Sequence, residues 1–271
     1  MLPTRFWAEM TWRDFLSPGI ADAIAVLPVA AVEQHGPHLP LGVDLLLMQG
    51  YIARVVERLP DDLPVLFLPV QAIGVSTEHE NFPGTLSLSS ASLIAALNEI
   101  GVGVARAGIR KLVLLNSHGG NVPLLDVVAQ DLRAKHGLLA VKATWHRFGY
   151  PDELFDEDEL KHGIHAGDVE TSLMLSFRPD LVRDEKRQNF VSAAAAIEGD
   201  FTWLRTGRPT GFGWMSQDLS PSGAMGNAAA ASAEKGEASA DYGVTAFIEL
   251  LQDVEAFDLA RLRGGPETGR G

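Results

Sequence analysis

Apolar positions in the first 150 residues come in two textures that alternate along the chain. Ile24 to Val32 is a continuous apolar run rich in β-branched residues, read as a buried strand. Leu45 to Leu59 carries apolar residues at helical spacing and stops at Pro60. Val65 to Val70 predicts a second strand, and Ser90 to Ala107 a second helix with Ser89 or Ser90 as N-cap. Lys111 to Leu115 is a third strand, Val122 to Lys135 a third helix and Leu138 to Trp145 a fourth strand. Strands alternating with helices of ~10–15 residues imply βαβ units, hence an α/β fold with a mostly parallel sheet. Right-handed crossovers place helices on both faces of such a sheet, and ligands sit beyond the carboxyl ends of its strands. The three polar, histidine-bearing loops, Glu33 to Asp44, the stretch up to Ser89 and Asn116 to Asn121, all follow strands.

The second half is less regular. Pro151 to Lys161 is an acidic run, read as a solvated surface segment. Asp168 to Phe177 predicts a short helix, and Ala231 to Phe257 a final one with Val244, Ile248 and Leu251 on one face. Residues 191–230 are rich in Gly, Ala and Ser, with Trp203, Trp214 and Met215 interspersed. No elements are predicted there; a pocket lid or a subunit contact is the expected role. With no internal repeat and no Pro/Ser linker, residues 1–262 read as one domain, and 263–271 as a disordered tail.

Composition narrows the chemistry. The chain holds 35 acidic and 22 basic residues for a net charge of −13, which disfavours a phosphate backbone as partner. It has no cysteine, so disulfides, thiolate metal sites and a cysteine nucleophile are excluded. Any metal must be held by His and carboxylates, a ligand set suited to catalytic Zn, Mn or Fe. Met1 to Trp12 does not read as a signal peptide and no apolar run reaches spanning length, so a cytoplasmic protein with no membrane association is expected.

Four segments carry candidate chemistry. In Glu33-Gln34-His35-Gly36-Pro37-His38-Leu39-Pro40-Leu41-Gly42-Val43-Asp44, an extended backbone points Glu33 and His35 to one side. Two prolines stiffen the loop that returns Asp44 towards them, giving a carboxylate–imidazole–carboxylate set suited to a divalent cation. His118 lies in Asn116-Ser117-His118-Gly119-Gly120-Asn121, at the mouth of the sheet. In His165-Ala166-Gly167-Asp168-Val169-Glu170, His165 precedes a helix and Glu170 sits in its first turn, where a carboxylate could equally be a cap. The segment Gly74 to Thr85 places His79 between two acids, but Phe82-Pro83-Gly84 reads as turn architecture; substrate-loop or structural duty is favoured for it over metal ligation. No Gly-x-Gly-x-x-Gly follows a strand and no phosphate-loop lysine is present, which disfavours a nucleotide-binding protein.

The segments EQHGPHLPLGVD, EHENFPGT, NSHGGN and HAGDVETS, in this order, resemble the creatininase family of amidohydrolases over roughly residues 24–240, as does the late stretch Gly223 to Gly236. The resemblance implies a three-layer α/β/α fold, a centre of two divalent metals (zinc first, manganese or iron as alternatives), a small-molecule amide substrate and often a homohexamer. By the same resemblance Glu33, His35, Asp44 and His118 match metal ligands, with Asp44 bridging. Glu170 is assigned to the metal shell and the catalytic set, and His165 matches the catalytic histidine. Creatininases carry an aromatic and an acidic residue where this chain has Gly119 and Gly120, so the missing acid falls to Glu170 and creatinine is not the expected substrate. The broader family includes formamide deformylases and a short-peptide hydrolase; a non-catalytic metal-binding protein on the same fold is the rival from another class.

Overall fold

The structure is a computed structural model that describes residues 2–265. The predicted tail therefore lies, from residue 266 on, outside the described residues. Four parallel strands, β1 (Ile24–Val29), β2 (Val65–Phe67), β3 (Lys111–Asn116) and β4 (Leu139–Thr144), form one sheet in the order β2-β1-β3-β4. Because side chains alternate across a strand, each strand feeds two cores. Ile24 and Val26 of β1, with Val113 and Leu115 of β3, face one core; Ala25, Leu27, Val29, Leu112 and Leu114 face the other.

Helices cover both faces. The first core is closed by α1 (Val43–Arg58) and by two later helices introduced below; α1 contributes Leu47, Met48, Tyr51, Ile52 and Val55 at helical spacing. The second is closed by α2 (Ser90–Arg106), through Leu93, Leu97 and Val104, and α3 (Val122–His136), through Leu125, Val128 and Leu132. Ser89 caps α2 by accepting the Ser92 N–H at 3.1 Å. This is the α/β/α sandwich expected from the alternation.

The first and second strands end earlier than their apolar runs. After Val29 the chain leaves the sheet, and Val32 makes only an isolated bridge to Leu86. The polar loops thus begin while the backbone is still buried.

Two readings of the second half are corrected. The acidic run is not a purely solvated segment: it leads into α4 (Glu157–His162), where Glu159 is buried and its carboxylate accepts the backbone N–H groups of Asp168 at 2.6 Å and Asn227 at 2.7 Å. After α5 (Asp168–Phe177), residues 191–230 are structured as well. A strand β5 (Asn189–Phe190) precedes α6 (Ala193–Asp200), followed by β6 (Leu204–Arg205), β7 (Thr210–Gly211), α7 (Ser216–Leu219) and β8 (Gly226–Asn227). The last helix, α8 (Ala233–Ala256), packs on α5 so closely that Gly236 lies against the Ser172 carbonyl, where no Cβ would fit. Lys235 fixes the pair through Asp168 Oδ2 at 2.5 Å. Among the described residues no helix is long and apolar enough to cross a membrane.

Candidate metal centre

Beyond the carboxyl ends of the strands the polar loops converge. Glu33 and His35 follow β1, Asp44 lies in the first turn of α1, and His118 follows β3. His165 precedes α5 and Glu170 lies in its first turn. Glu78 and His79 join them from a single 3-10 turn, Thr77–His79, in the loop after β2. Glu33, His35, Asp44, His79, His118 and His165 are all buried, while Glu170 and Glu78 stand at the edge of the cluster.

Backbone-directed hydrogen bonds hold the loops in place. Asn121 ties three of them together: its amide donates to Ala30 O (3.1 Å) and Asn116 Oδ1 (3.1 Å), and its Oδ1 accepts the Val75 N–H (3.0 Å). Ser117 Oγ donates to the Asp44 carbonyl at 2.9 Å, which fixes the start of α1 beside the His118 loop.

The histidine tautomers follow from the same network. His35 Nδ1–H donates to its neighbour's carbonyl, Glu33 O, at 3.0 Å, leaving Nε2 aimed at Asp44 Oδ2 (3.7 Å) and Glu170 Oε2 (3.8 Å). His118 Nε2–H donates to Val75 O at 2.9 Å, and Nδ1 faces Glu33 Oε1 at 3.2 Å. His165 Nε2–H donates to Gln34 O at 2.6 Å, and Nδ1 faces Glu33 Oε1 at 3.7 Å. Each ring thus anchors one nitrogen on a backbone carbonyl and turns the other inwards, the pattern that orients histidines for metal binding.

His79 is different. Gln34 Oε1 accepts the Gly36 N–H and Gln34 Nε2 donates to Gly223 O, so its amide orientation is fixed and Nε2 also donates to His79 Nδ1 at 2.7 Å. The His79 proton is therefore on Nε2, which points at Glu33 Oε1 at 3.3 Å. His79 thus faces Glu33 at ion-pair distance with a protonated nitrogen rather than a lone pair.

The charges are poorly balanced. Burial raises the pKa of Glu33, but His118, His79 and His165 outweigh it and hold the carboxyl well below the usual range. Burial lowers that of His118, yet Glu33, Asp44 and Glu78 push it up to about 10. Burial and the Glu33 charge raise Asp44 well above an ordinary carboxylate, and burial drives His35 well below an ordinary imidazole. Both Glu33 oxygens, His35 Nε2 and Asp44 Oδ2 are buried without a hydrogen-bond partner. Unpaired buried polar atoms are costly and rare, and here they are acceptors and lone pairs pointing at one another. A cation satisfies such a set. Glu33/His35/Asp44, His35/His165/Glu170 and Glu33/Glu78/His118 each offer three ligand atoms within 4.8 Å of one another.

Sequence reasoning placed Glu33, His35, Asp44, His118, His165 and Glu170, and the fold brings all six together. It did not place Glu78 at the cluster, nor Glu159 at the cavity wall; the acids flanking His79 were the available signal for the first. Glu170 also does structural work, since its Oε2 accepts the Ala166 N–H at 2.6 Å, at a residue with φ of 57°. His38 lies outside the cluster, bonded to Thr171 Oγ1 and stacked on Phe190. Above the cluster opens a cavity of about 530 Å³, whose walls include Tyr51, Trp145, Tyr150, Ile164 and Trp214. Trp214 brings the 191–230 segment to that wall.

The family description "Creatinine amidohydrolase" matches residues 8–251. A creatinine amidohydrolase of Pseudomonas putida is 35% identical over 194 residues, covering 65% of this chain and 73% of that protein. A mycofactocin precursor peptide peptidase of Mycobacterium ulcerans is 30% identical over 247 residues, covering 89% of this chain and 86% of that protein. Among solved structures, a creatininase described as an Mn form superposes with a TM-score of 0.72 at 27% identity, covering 92% of this chain and 98% of that one. A mutant creatininase of Zn-Zn type gives a TM-score of 0.71 at 28% identity with the same coverage.

Proposed function

The chain belongs to the creatininase family of hydrolases, and on that premise we propose that it is a metal-dependent amidohydrolase that cleaves a C–N bond by addition of water. The observation that carries the proposal is the set of four unpartnered buried atoms, Glu33 Oε1 and Oε2, His35 Nε2 and Asp44 Oδ2, gathered under a cavity. Glu33, His35, Asp44 and His118 would hold two divalent cations, and Glu170 lies beside His35; the Mn and Zn forms of the related creatininases favour those metals. Such cations, when bound, make water acidic enough to ionise near neutral pH and polarise an amide carbonyl.

The protein's own residues divide the remaining work. His165, with Nε2–H fixed on Gln34 O, presents the Nδ1 lone pair to the cluster. It takes the proton that the attacking water loses and returns it to the departing nitrogen, acting as base and then as acid. His79 faces the Glu33 carboxylate with Nε2, 3.3 Å from Oε1, and adds a favourable charge beside it when protonated. Tyr51, Trp145 and Trp214 shield the reacting centre from bulk water.

The cavity also speaks to the substrate. At about 530 Å³ it falls within the range of sites that enclose drug-sized ligands, roughly 300–1,000 Å³, far more than one small ring fills. Gly119 and Gly120 line it without side chains of their own. We therefore favour an amide with an apolar or aromatic extension, a short peptide included, over creatinine. The test is a panel of lactams, N-formyl compounds and short peptides assayed with and without chelator; chelator-sensitive hydrolysis of an extended amide is expected, and turnover of creatinine in preference to all others would refute the substrate reading.

Homo-oligomerisation, as a hexamer, is part of the same reading. Val191, Phe201, Trp203 and Leu204 are each exposed in the segment between α5 and α7, and apolar surface left to solvent is what a subunit interface covers. Light scattering at micromolar concentration should give a particle several times the 29.1 kDa chain mass; a stable monomer contradicts it.

A further inference from the structure

We infer that Glu78 is a ligand of the metal centre, reaching it from the loop after β2 into the space that Gly120 leaves open. The inference rests on the metal-dependent reading above and assigns one more residue to it. The residue after His118-Gly119 would be the obvious place for an acid beside His118, but in this fold it cannot carry one. A Cβ on residue 120 would lie 2.5 Å from His118 Nε2, 2.6 Å from Val75 O and 2.7 Å from Glu78 Oε1. Two of these neighbours belong to the loop after β2, and one of them is a carboxylate oxygen. The position is glycine because the His118 ring, the Val75 carbonyl and the Glu78 carboxylate already crowd it, and the acid among them is Glu78.

That placement is built. The loop is held at Val75 by Asn121 and lies against Ser216, whose Oγ is 3.0 Å from Glu78 O and 2.6 Å from His79 Nδ1. The next residue, His79, is clamped by Gln34 and in turn faces Glu33. Glu78 Oε1 comes 3.5 Å from His118 Nε2, the nitrogen that donates to Val75 O, and Glu33, Glu78 and His118 each offer a ligand atom within 4.8 Å of the others. Glu170 cannot do the same job. It stands beside His35, and one of its oxygens is engaged by the Ala166 N–H. The two acids therefore serve opposite halves of the centre: Glu78 with Glu33 and His118, and Glu170 with His35 and Asp44.

The test compares the full-length chain with Glu78→Gln, which keeps shape and loses charge, and Glu78→Asp, which keeps charge. Each is stripped with chelator and titrated with Co²⁺, read by visible absorption and by elemental analysis, with circular dichroism as the check on folding. Wild type should take up two equivalents. Glu78→Gln should keep one tight equivalent and bind the second more weakly by at least ~10–100-fold, the loss that removing even an outer-shell partner of a ligand causes. Glu78→Asp should recover part of that loss, which a packing role for the side chain would not require. Two equivalents bound by Glu78→Gln with wild-type affinity would overturn the inference while leaving the metal-dependent reading intact. Wild-type protein that takes up no cation would overturn that reading, and the role of Glu78 with it.

Discussion

His165 and Asp44 lie within the same few ångströms yet should fail differently when removed. Asp44 Oδ2 is buried without a partner and faces His35 Nε2, the position of a ligand. His165 has one nitrogen committed to Gln34 O and turns the other towards Glu33, where the proposed mechanism uses it. His165→Ala is expected to keep its metal content while kcat falls by ~10²–10⁴, the range for a lost general acid or base. Substrate KM should change little, because the interaction matters after attack. Metal analysis beside turnover decides it: if His165→Ala loses its metal, His165 is a ligand and another residue must move the proton. The residues of this set were legible because each sits in a short motif dense in His, acid and glycine. Glu78 was not, because its role depends on empty space at Gly120, forty-two positions away by numbering and adjacent only in the fold. The tautomer of His79 was equally out of reach, being set by the Gln34 amide.

At the level of elements, the parallel sheet was legible because buried strands and amphipathic helices alternate with little interruption up to Trp145. The later segments were not, because what orders them is remote in sequence. Glu159 looks like one acid among many until its carboxylate meets the N–H groups of Asp168 and Asn227. Asn121 is a similar long-range device within the motifs that were recognised. It satisfies Ala30 O and Val75 N, two backbone groups at the ends of different loops. Asn121→Ala should therefore cost about 1–3 kcal/mol for each buried backbone group left unpaired. The urea midpoint should fall with little change in m. A variant within about 0.5 kcal/mol of wild type, the range of ordinary surface substitutions, would show that Asn121 is not a staple.

For the whole molecule, the unbalanced centre ties stability to pH and metal. The folded-state pKa of His118, about 10, lies above its ordinary value of 6.5. Its protonation thus contributes stability that is full below about 6.5 and is lost as pH rises towards about 10. Asp44, raised as well, adds with the same sign; Glu33, lowered, contributes stability that is lost only in acid. Cations bound as proposed would replace the protons on His118 and Asp44. Metal-free protein should accordingly lose Tm between about pH 6.5 and about pH 10, and the loaded protein should lose much less. Parallel pH profiles for the two forms would contradict this coupling.

The central claim is that hydrolysis depends on cations held by Glu33, His35, Asp44 and His118. The most direct measurement strips the protein with chelator and adds Zn²⁺ or Mn²⁺ back in steps, following amide hydrolysis and bound metal together, with Asp44→Ala carried through the same steps. Activity should vanish on stripping and return in proportion to occupancy up to two equivalents, while Asp44→Ala recovers neither metal nor turnover. Undiminished hydrolysis by metal-free protein, or full activity in Asp44→Ala, would contradict the claim.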